Sequence, residues 1–258
     1  MDLLKDLKHG AQAGAVAGLL TGGFGYLLAE PLMDRAVELE TAREAADQAN
    51  RASAGLTVEH QAEVFSRGTQ HLGLLVAALA TGLALGVLFS VVHAVVHRND
   101  PPGDQSVRWR SSLWLAAGAF FAVYLVPFVR YPANPPGVGD PNTIDTRTRA
   151  YLAAVAVGML GVVAAGRLAR DLRGRGTAEP LRHLAVAGVL LVTLALPFVL
   201  PADTDPLDVP AGLLWQFRLL ALASSLVLWA SLGAVFGLLG SGHSERRAPD
   251  LASAAPVA

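Results

Sequence analysis

The chain has 258 residues, 53% of them hydrophobic and only 16% charged, with a mean hydropathy of +0.44 and a net charge of −1. A soluble domain carries nearer a quarter charged residues and a nucleic-acid binder a basic face, so this composition argues against both. There is no cysteine, which excludes disulfides, thiolate metal sites, iron–sulfur clusters and a cysteine nucleophile.

Six apolar stretches lie near residues 10–29, 72–96, 112–129, 151–167, 184–200 and 212–239. Each approaches or exceeds the roughly 18 residues that span hydrocarbon as a helix, and charges cluster between them. The expectation is an all-α polytopic membrane protein of about six transmembrane helices, with residues 1–240 forming one transmembrane helical domain.

Lys5 and Lys8 precede the first stretch as they would in a signal peptide, but the run is long and lacks an A-x-A cleavage pattern around 27–31. A retained helix is expected. Its glycines, Gly10, Gly14, Gly18 and Gly22, recur every four residues and form a ridge without side chains, suited to close helix packing. Gly82/Gly86 and Gly233/Gly237 repeat that spacing in the second and sixth stretches.

Residues 30–70 form an acidic, helix-prone outer loop. Glu30, Asp34 and Glu38 stand at i, i+4 and i+8 directly after the first stretch, and a break is expected at 53–55. Carboxylates at that spacing share one helical face and concentrate divalent cations, although such a run is more often a plain solvated face. Glu30 differs because Pro31 holds it at the membrane boundary, where ionisable groups tend to be functional. Thr57 is the expected N-cap of the next helix, with Glu59 and His60 following it.

Along the second stretch, His71, Gly82, Gly86, Ser90, His93 and His97 fall on one stripe at roughly 100° per residue. His71 and His93 are separated by about 33 Å of helix, close to the hydrocarbon thickness. This places His71 at one mouth of a small-residue face and His93/His97 at the other. Imidazoles at i and i+4 can share a divalent ion; interfacial histidines that merely meet headgroups and water are the ordinary alternative.

The third stretch ends Val126-Pro127-Phe128-Val129 and the fifth ends Leu196-Pro197-Phe198-Val199. This echo fits either a repeated hairpin or two unrelated proline stops. After the first comes a stiff loop rich in proline and glycine (131–143), in which Asp140 and Pro141 are expected to cap the next helix. After the second comes a short acidic loop with Asp203, Asp205 and Asp208. Residues 241–258 lack periodicity and are expected to be a disordered cytoplasmic tail.

With the N-terminus inside, twelve of the twenty Lys and Arg residues fall on the cytoplasmic side and eight outside, four of those in the long 30–70 loop. The positive-inside rule therefore predicts both termini in the cytoplasm. Enzyme readings lack support. Both lysines lie in the N-terminal segment, so there is no P-loop and no Schiff-base lysine in a span. The stretch His60-Gln61-Ala62-Glu63-Val64 lacks the second histidine of H-E-x-x-H, and no G-x-S-x-G occurs.

Three segments together resemble the cobalt transporter subunit family CbtA. They are Ala29-Glu30-Pro31 through Val37-Glu38-Leu39-Glu40, then Phe128-Val129-Arg130-Tyr131-Pro132-Ala133-Asn134-Pro135-Pro136-Gly137-Val138-Gly139-Asp140-Pro141, and Leu214-Trp215-Gln216-Phe217-Arg218 with Leu228-Trp229 and Gly233. The proline-rich loop is the most specific of these. The resemblance implies cobalt uptake across the cytoplasmic (inner) membrane and a small single-span partner of the CbtB type carrying a histidine-rich metal site. It supplies no ligand set for this chain.

The residues themselves suggest Glu30, His71, His93 and His97 as metal-handling groups. Co²⁺ or Ni²⁺ would then be a transported substrate rather than a bound cofactor. Membrane lipid, a single-span subunit and further copies of the chain are the expected partners, and nucleic acid is not. A non-transporting membrane scaffold and a transporter of another small solute are the rival readings.

Overall fold

The computed structural model describes residues 3–55, 67–98, 105–135, 143–202 and 209–239. Of these residues 91% are helical, and no strand occurs among them. Helices are what a chain in hydrocarbon must form, because each satisfies its backbone N–H and C=O groups within itself. The elements are α1 (Leu3–Phe24), a π turn (Gly25–Ala29), α2 (Glu30–Ser53), α3 (Arg67–Val96), α4 (Gln105–Ala119), a second π turn (Phe120–Leu125), α5 (Val126–Arg130), α6 (Ile144–Gly174), α7 (Glu179–Ala195), a 3₁₀ turn (Leu196–Val199) and α8 (Ala211–Leu239).

Six helical stretches are long and apolar enough to cross a membrane: Leu4–Ser53, Gly68–Val96, Gln105–Arg130, Ile144–Gly174, Glu179–Val199 and Ala211–Leu239. Each contains most or all of one expected stretch. In the α7 stretch only 11% of the most apolar window is buried, and Leu184 and Leu191 are each more than 60% exposed. Such outward apolar surface is stable only against lipid. The chain is a multi-pass membrane protein.

The helix ends follow the local chemistry. After Ser53 the chain turns at Gly55, whose φ of +72° favours glycine, and the Gly55 N–H bonds to the Ala52 carbonyl. The break expected at 53–55 is therefore present. Between α6 and α7, Gly176 (φ +70°) makes the equivalent turn, with the Thr177 N–H bonded to the Leu172 carbonyl at 3.0 Å.

Both π turns end just before a proline, Pro31 or Pro127. Proline has no N–H and its ring crowds the carbonyl four residues earlier, so a widened turn relieves the clash. For Pro127 the orphaned acceptor is the Val123 carbonyl, which the Tyr151 hydroxyl approaches at 3.4 Å. The related Leu196-Pro197-Phe198-Val199 is instead a 3₁₀ turn. Pro127 and Pro197 are both fully buried.

The chain forms two compact units. One comprises Met1–Tyr26, Gly68–Gly118 and Ser224–Ala258, the other Leu27–Arg67 and Ala119–Ala223. In the first, the glycine ridge of α1 lies directly on α3. A methyl built on Gly14 would stand 2.9 Å from the Gly86 Cα, and one on Gly82 would stand 2.6 Å from the Gly18 Cα. The α4–α8 pair uses the same device, since a methyl on Gly233 would meet the Ala116 Cβ at 2.6 Å. Phe89, Leu232 and Phe236 are buried in this unit, and the Phe89 and Phe236 rings meet edge-on.

In the second unit, Gly158 of α6 backs onto Ala122, and a methyl there would stand 2.8 Å from the Ala122 Cα. The end of α5 and the proline-rich loop that follows it are pinned at three points. Arg130 Nη2 donates to the Leu200 carbonyl (3.2 Å), the Tyr131 hydroxyl donates to the Pro201 carbonyl (2.7 Å), and Arg218 Nη2 donates to Asn134 Oδ1 (2.9 Å). The caps expected at Thr57 and at Asp140 and Pro141, the groups Glu59 and His60, the acids Asp203, Asp205 and Asp208, and the tail at 241–258 lie outside the described residues.

Candidate metal-handling cluster

Within the first unit, the end of α3 meets the start of α4 and the last turns of α8, and the side chains there are polar. His93 is 6% exposed, and its ring lies 4.3 Å, centroid to centroid, from that of His97 one turn later. Phe236 of α8 stands edge-on to His93 at 5.1 Å and to Phe89 at 5.3 Å, closing the apolar side of the pair.

Each ring is held by a hydrogen bond through one of its nitrogens. His97 Nδ1 lies 3.0 Å from the His93 carbonyl. A carbonyl only accepts, so Nδ1 is the donor, and Nε2 carries the lone pair of the neutral ring. Ser111 Oγ donates its single proton to the Arg108 carbonyl (2.9 Å), so it meets His93 Nε2 (3.1 Å) as an acceptor. In a neutral His93 ring that donates from Nε2, the lone pair is on Nδ1. Two imidazoles oriented by second partners are, in their neutral form, a ligand pair suited to divalent first-row metals.

Beside them stands an ion pair that joins α1 to α4. Arg108 Nη2 donates to Asp6 Oδ1 at 2.8 Å, and Asp6 is buried. The same guanidinium lies over the Phe236 ring at 5.3 Å, on which the His93 ring also packs. The buried Nε of Arg108 has no hydrogen-bond partner among the described residues.

Of the four residues singled out in the sequence, His93 and His97 are brought into ring contact. His71 lies near the other end of α3, half-buried, with its ring edge-on to Tyr26 at 5.7 Å. Glu30 opens α2 in the second unit and is half-buried. The expected small-residue passage between His71 and His93 needs correction. Gly82, Gly86 and Ser90 are all buried against α1, and a methyl on Gly10 would meet Ser90 Oγ at 2.7 Å. Small side chains let two backbones touch, and that contact leaves no room for an ion.

The sequence reading missed Asp6, Arg108 and Ser111 as parts of this cluster. A signal for Asp6 existed, because it lies four residues before Gly10 on the same i, i+4 row as the glycine ridge. Nothing in the sequence points to Ser111, which reaches His93 across 18 residues.

A protein-family model described as a probable cobalt transporter subunit (CbtA) matches residues 5–241, nearly the whole chain. The chain belongs to the CbtA family. No curated protein and no solved structure matches it. The CbtA match covers the glycine ridge, the pinned proline loop and the histidine cluster alike.

Proposed function

We propose that this CbtA protein is the membrane-spanning component of a cobalt uptake transporter of the cytoplasmic membrane, with both termini inside. The observation that carries the reading is the His93/His97 pair, two rings in contact and each held by a hydrogen bond, His93 to Ser111 and His97 to the His93 carbonyl. Imidazole nitrogen suits Co²⁺ and Ni²⁺, whereas carboxylate oxygen suits harder ions. Glu30 and, separately, His71 act on the outer side, and His93 and His97 receive the ion on the cytoplasmic side.

Because α1 closes the glycine face of α3, transfer between these ends requires the helices to move or a route elsewhere in the protein. The membrane potential suffices as a driving force. At roughly 2.3 kcal/mol per charge, a dipositive ion gains about 4.6 kcal/mol per 100 mV on moving inward. The protein holds no resident cofactor, performs no covalent chemistry, and works with a small single-span subunit or further copies of itself.

The test is accumulation of radioactive cobalt in cells that lack the protein, express it, or express His93→Ala/His97→Ala at equal protein level. The double variant is expected to accumulate cobalt at about one tenth of wild type or less, from loss of two ligand nitrogens. Wild-type accumulation in that variant would overturn the inner site. No difference between cells with and without the protein, with a candidate partner present, would favour a scaffold.

A further inference from the structure

Within the second unit, α6 and α7 lie side by side and leave between them a groove of about 590 Å³. Leu160, Gly161 and Ala164 of α6 line one side, and Ala185, Gly188 and Val192 of α7 line the other. At its floor Gly161 backs onto Thr193 so closely that a methyl there would collide with the threonine side chain. Among the described lining residues only Thr193 has a polar side chain, and its hydroxyl donates to the Val189 carbonyl at 2.8 Å. The groove is therefore suited to hydrocarbon.

Length and charge say which hydrocarbon. On α7 the lining runs from Ala185 to Leu196, about 16 Å of helix and close to half of the roughly 30 Å hydrocarbon core. That is the depth of one leaflet, which matches an acyl chain, whereas a membrane-spanning helix would overrun it. One turn beyond the groove stand Arg167, three residues after Ala164, and Arg182, three residues before Ala185. Arg170, Arg173 and Arg175, all exposed, follow before α7 begins. The acids of this segment are Asp171 and Glu179, and Glu179, itself 70% exposed, lies 3.9 Å from Arg182 and 3.8 Å from His183. Five arginines against two acids leave this end of the groove cationic. A basic cluster beside a span attracts anionic headgroups.

We infer that the α6–α7 groove holds one acyl chain of an anionic phospholipid whose phosphate is bound by Arg167 and Arg182. A zwitterionic lipid fills the same groove but brings no net charge to its cationic end. The inference is independent of which solute the protein moves and of which side its termini face.

Native mass spectrometry of the detergent-purified full chain, titrated with phosphatidylglycerol or phosphatidylcholine of identical acyl chains, tests it. Wild type is expected to retain phosphatidylglycerol about tenfold more tightly, the worth of one charge-assisted hydrogen bond. Arg167→Gln/Arg182→Gln should erase that preference and leave phosphatidylcholine binding unchanged. Gly188→Leu should weaken both lipids, because its side chain fills the groove. A Cβ on Gly188 would have nothing within 4 Å, so this variant keeps the α6–α7 contact and the thermal midpoint of wild type. Equal retention of the two lipids by wild type, or wild-type lipid binding in Gly188→Leu, would overturn the inference. A protein dimer in the same spectra that Gly188→Leu dissolves would overturn it in favour of a second copy of the chain.

Discussion

The Arg108 guanidinium donates to the Asp6 carboxylate at 2.8 Å, tying the first helix of the chain to a helix that begins about a hundred residues later. Asp6 is shielded, whereas the Arg108 side chain keeps 28% of its exposure, so the pair is only partly desolvated. Removing one partner leaves the other charge inside the helix bundle. Asp6→Asn or Arg108→Gln should each destabilise the protein by about 1–3 kcal/mol. The double variant should lose less than the sum of the two. Thermal midpoints of the four proteins in one detergent measure this coupling, and strict additivity would show that the two side chains act separately.

The glycine ridge gives a graded prediction. Gly18 has the Ala78 carbonyl oxygen 2.5 Å from where its Cβ would be, whereas Gly23, on the same helix, has nothing within 4 Å. Gly18→Leu should abolish stable accumulation of the protein, because α1 and α3 cannot part without losing their whole contact. Gly23→Ala should be tolerated, since it adds a methyl into open space and removes a flexible residue from a helix. Immunoblots of membrane fractions decide it, and normal levels of Gly18→Leu would show that the α1–α3 contact is dispensable.

In the proposed inner site, Ser111 acts through His93 and not on the ion itself. With its proton committed to the Arg108 carbonyl, it holds the His93 ring by Nε2. Ser111→Ala should reduce cobalt accumulation by about 10-fold, in the range seen when groups that orient a metal ligand are removed. Ser111→Thr retains the hydroxyl and should recover most of it. If Ser111→Ala matches wild type at equal protein level, Ser111 does not orient a ligand.

Orientation can be tested directly because the chain has no cysteine to remove. Single replacements Asn50→Cys and Asn134→Cys should react with an impermeant maleimide added to intact cells. Ser106→Cys and Arg173→Cys should react only after the membrane is opened. The reverse pattern at both pairs would place the termini outside and invert the proposed direction of transport.

The number of spans is legible in the chain alone, because transfer of a helix into hydrocarbon depends on the summed character of its own residues. Also legible there are the break at Ser53–Gly55, where only glycine adopts the left-handed backbone readily, and the i, i+4 pairing of His93 with His97. The remaining features depend on how the helices pack. A stripe of glycines with a serine can line a passage or seat another helix, and composition is the same in both cases. Only the approach of α1, whose Gly14 backs onto Gly86, shows that this stripe is a contact. Asp6, Arg108 and Ser111 join the histidines for the same reason, since a hydrogen bond across 18 residues or an ion pair across 102 depends on how helices pack and leaves no period in the chain.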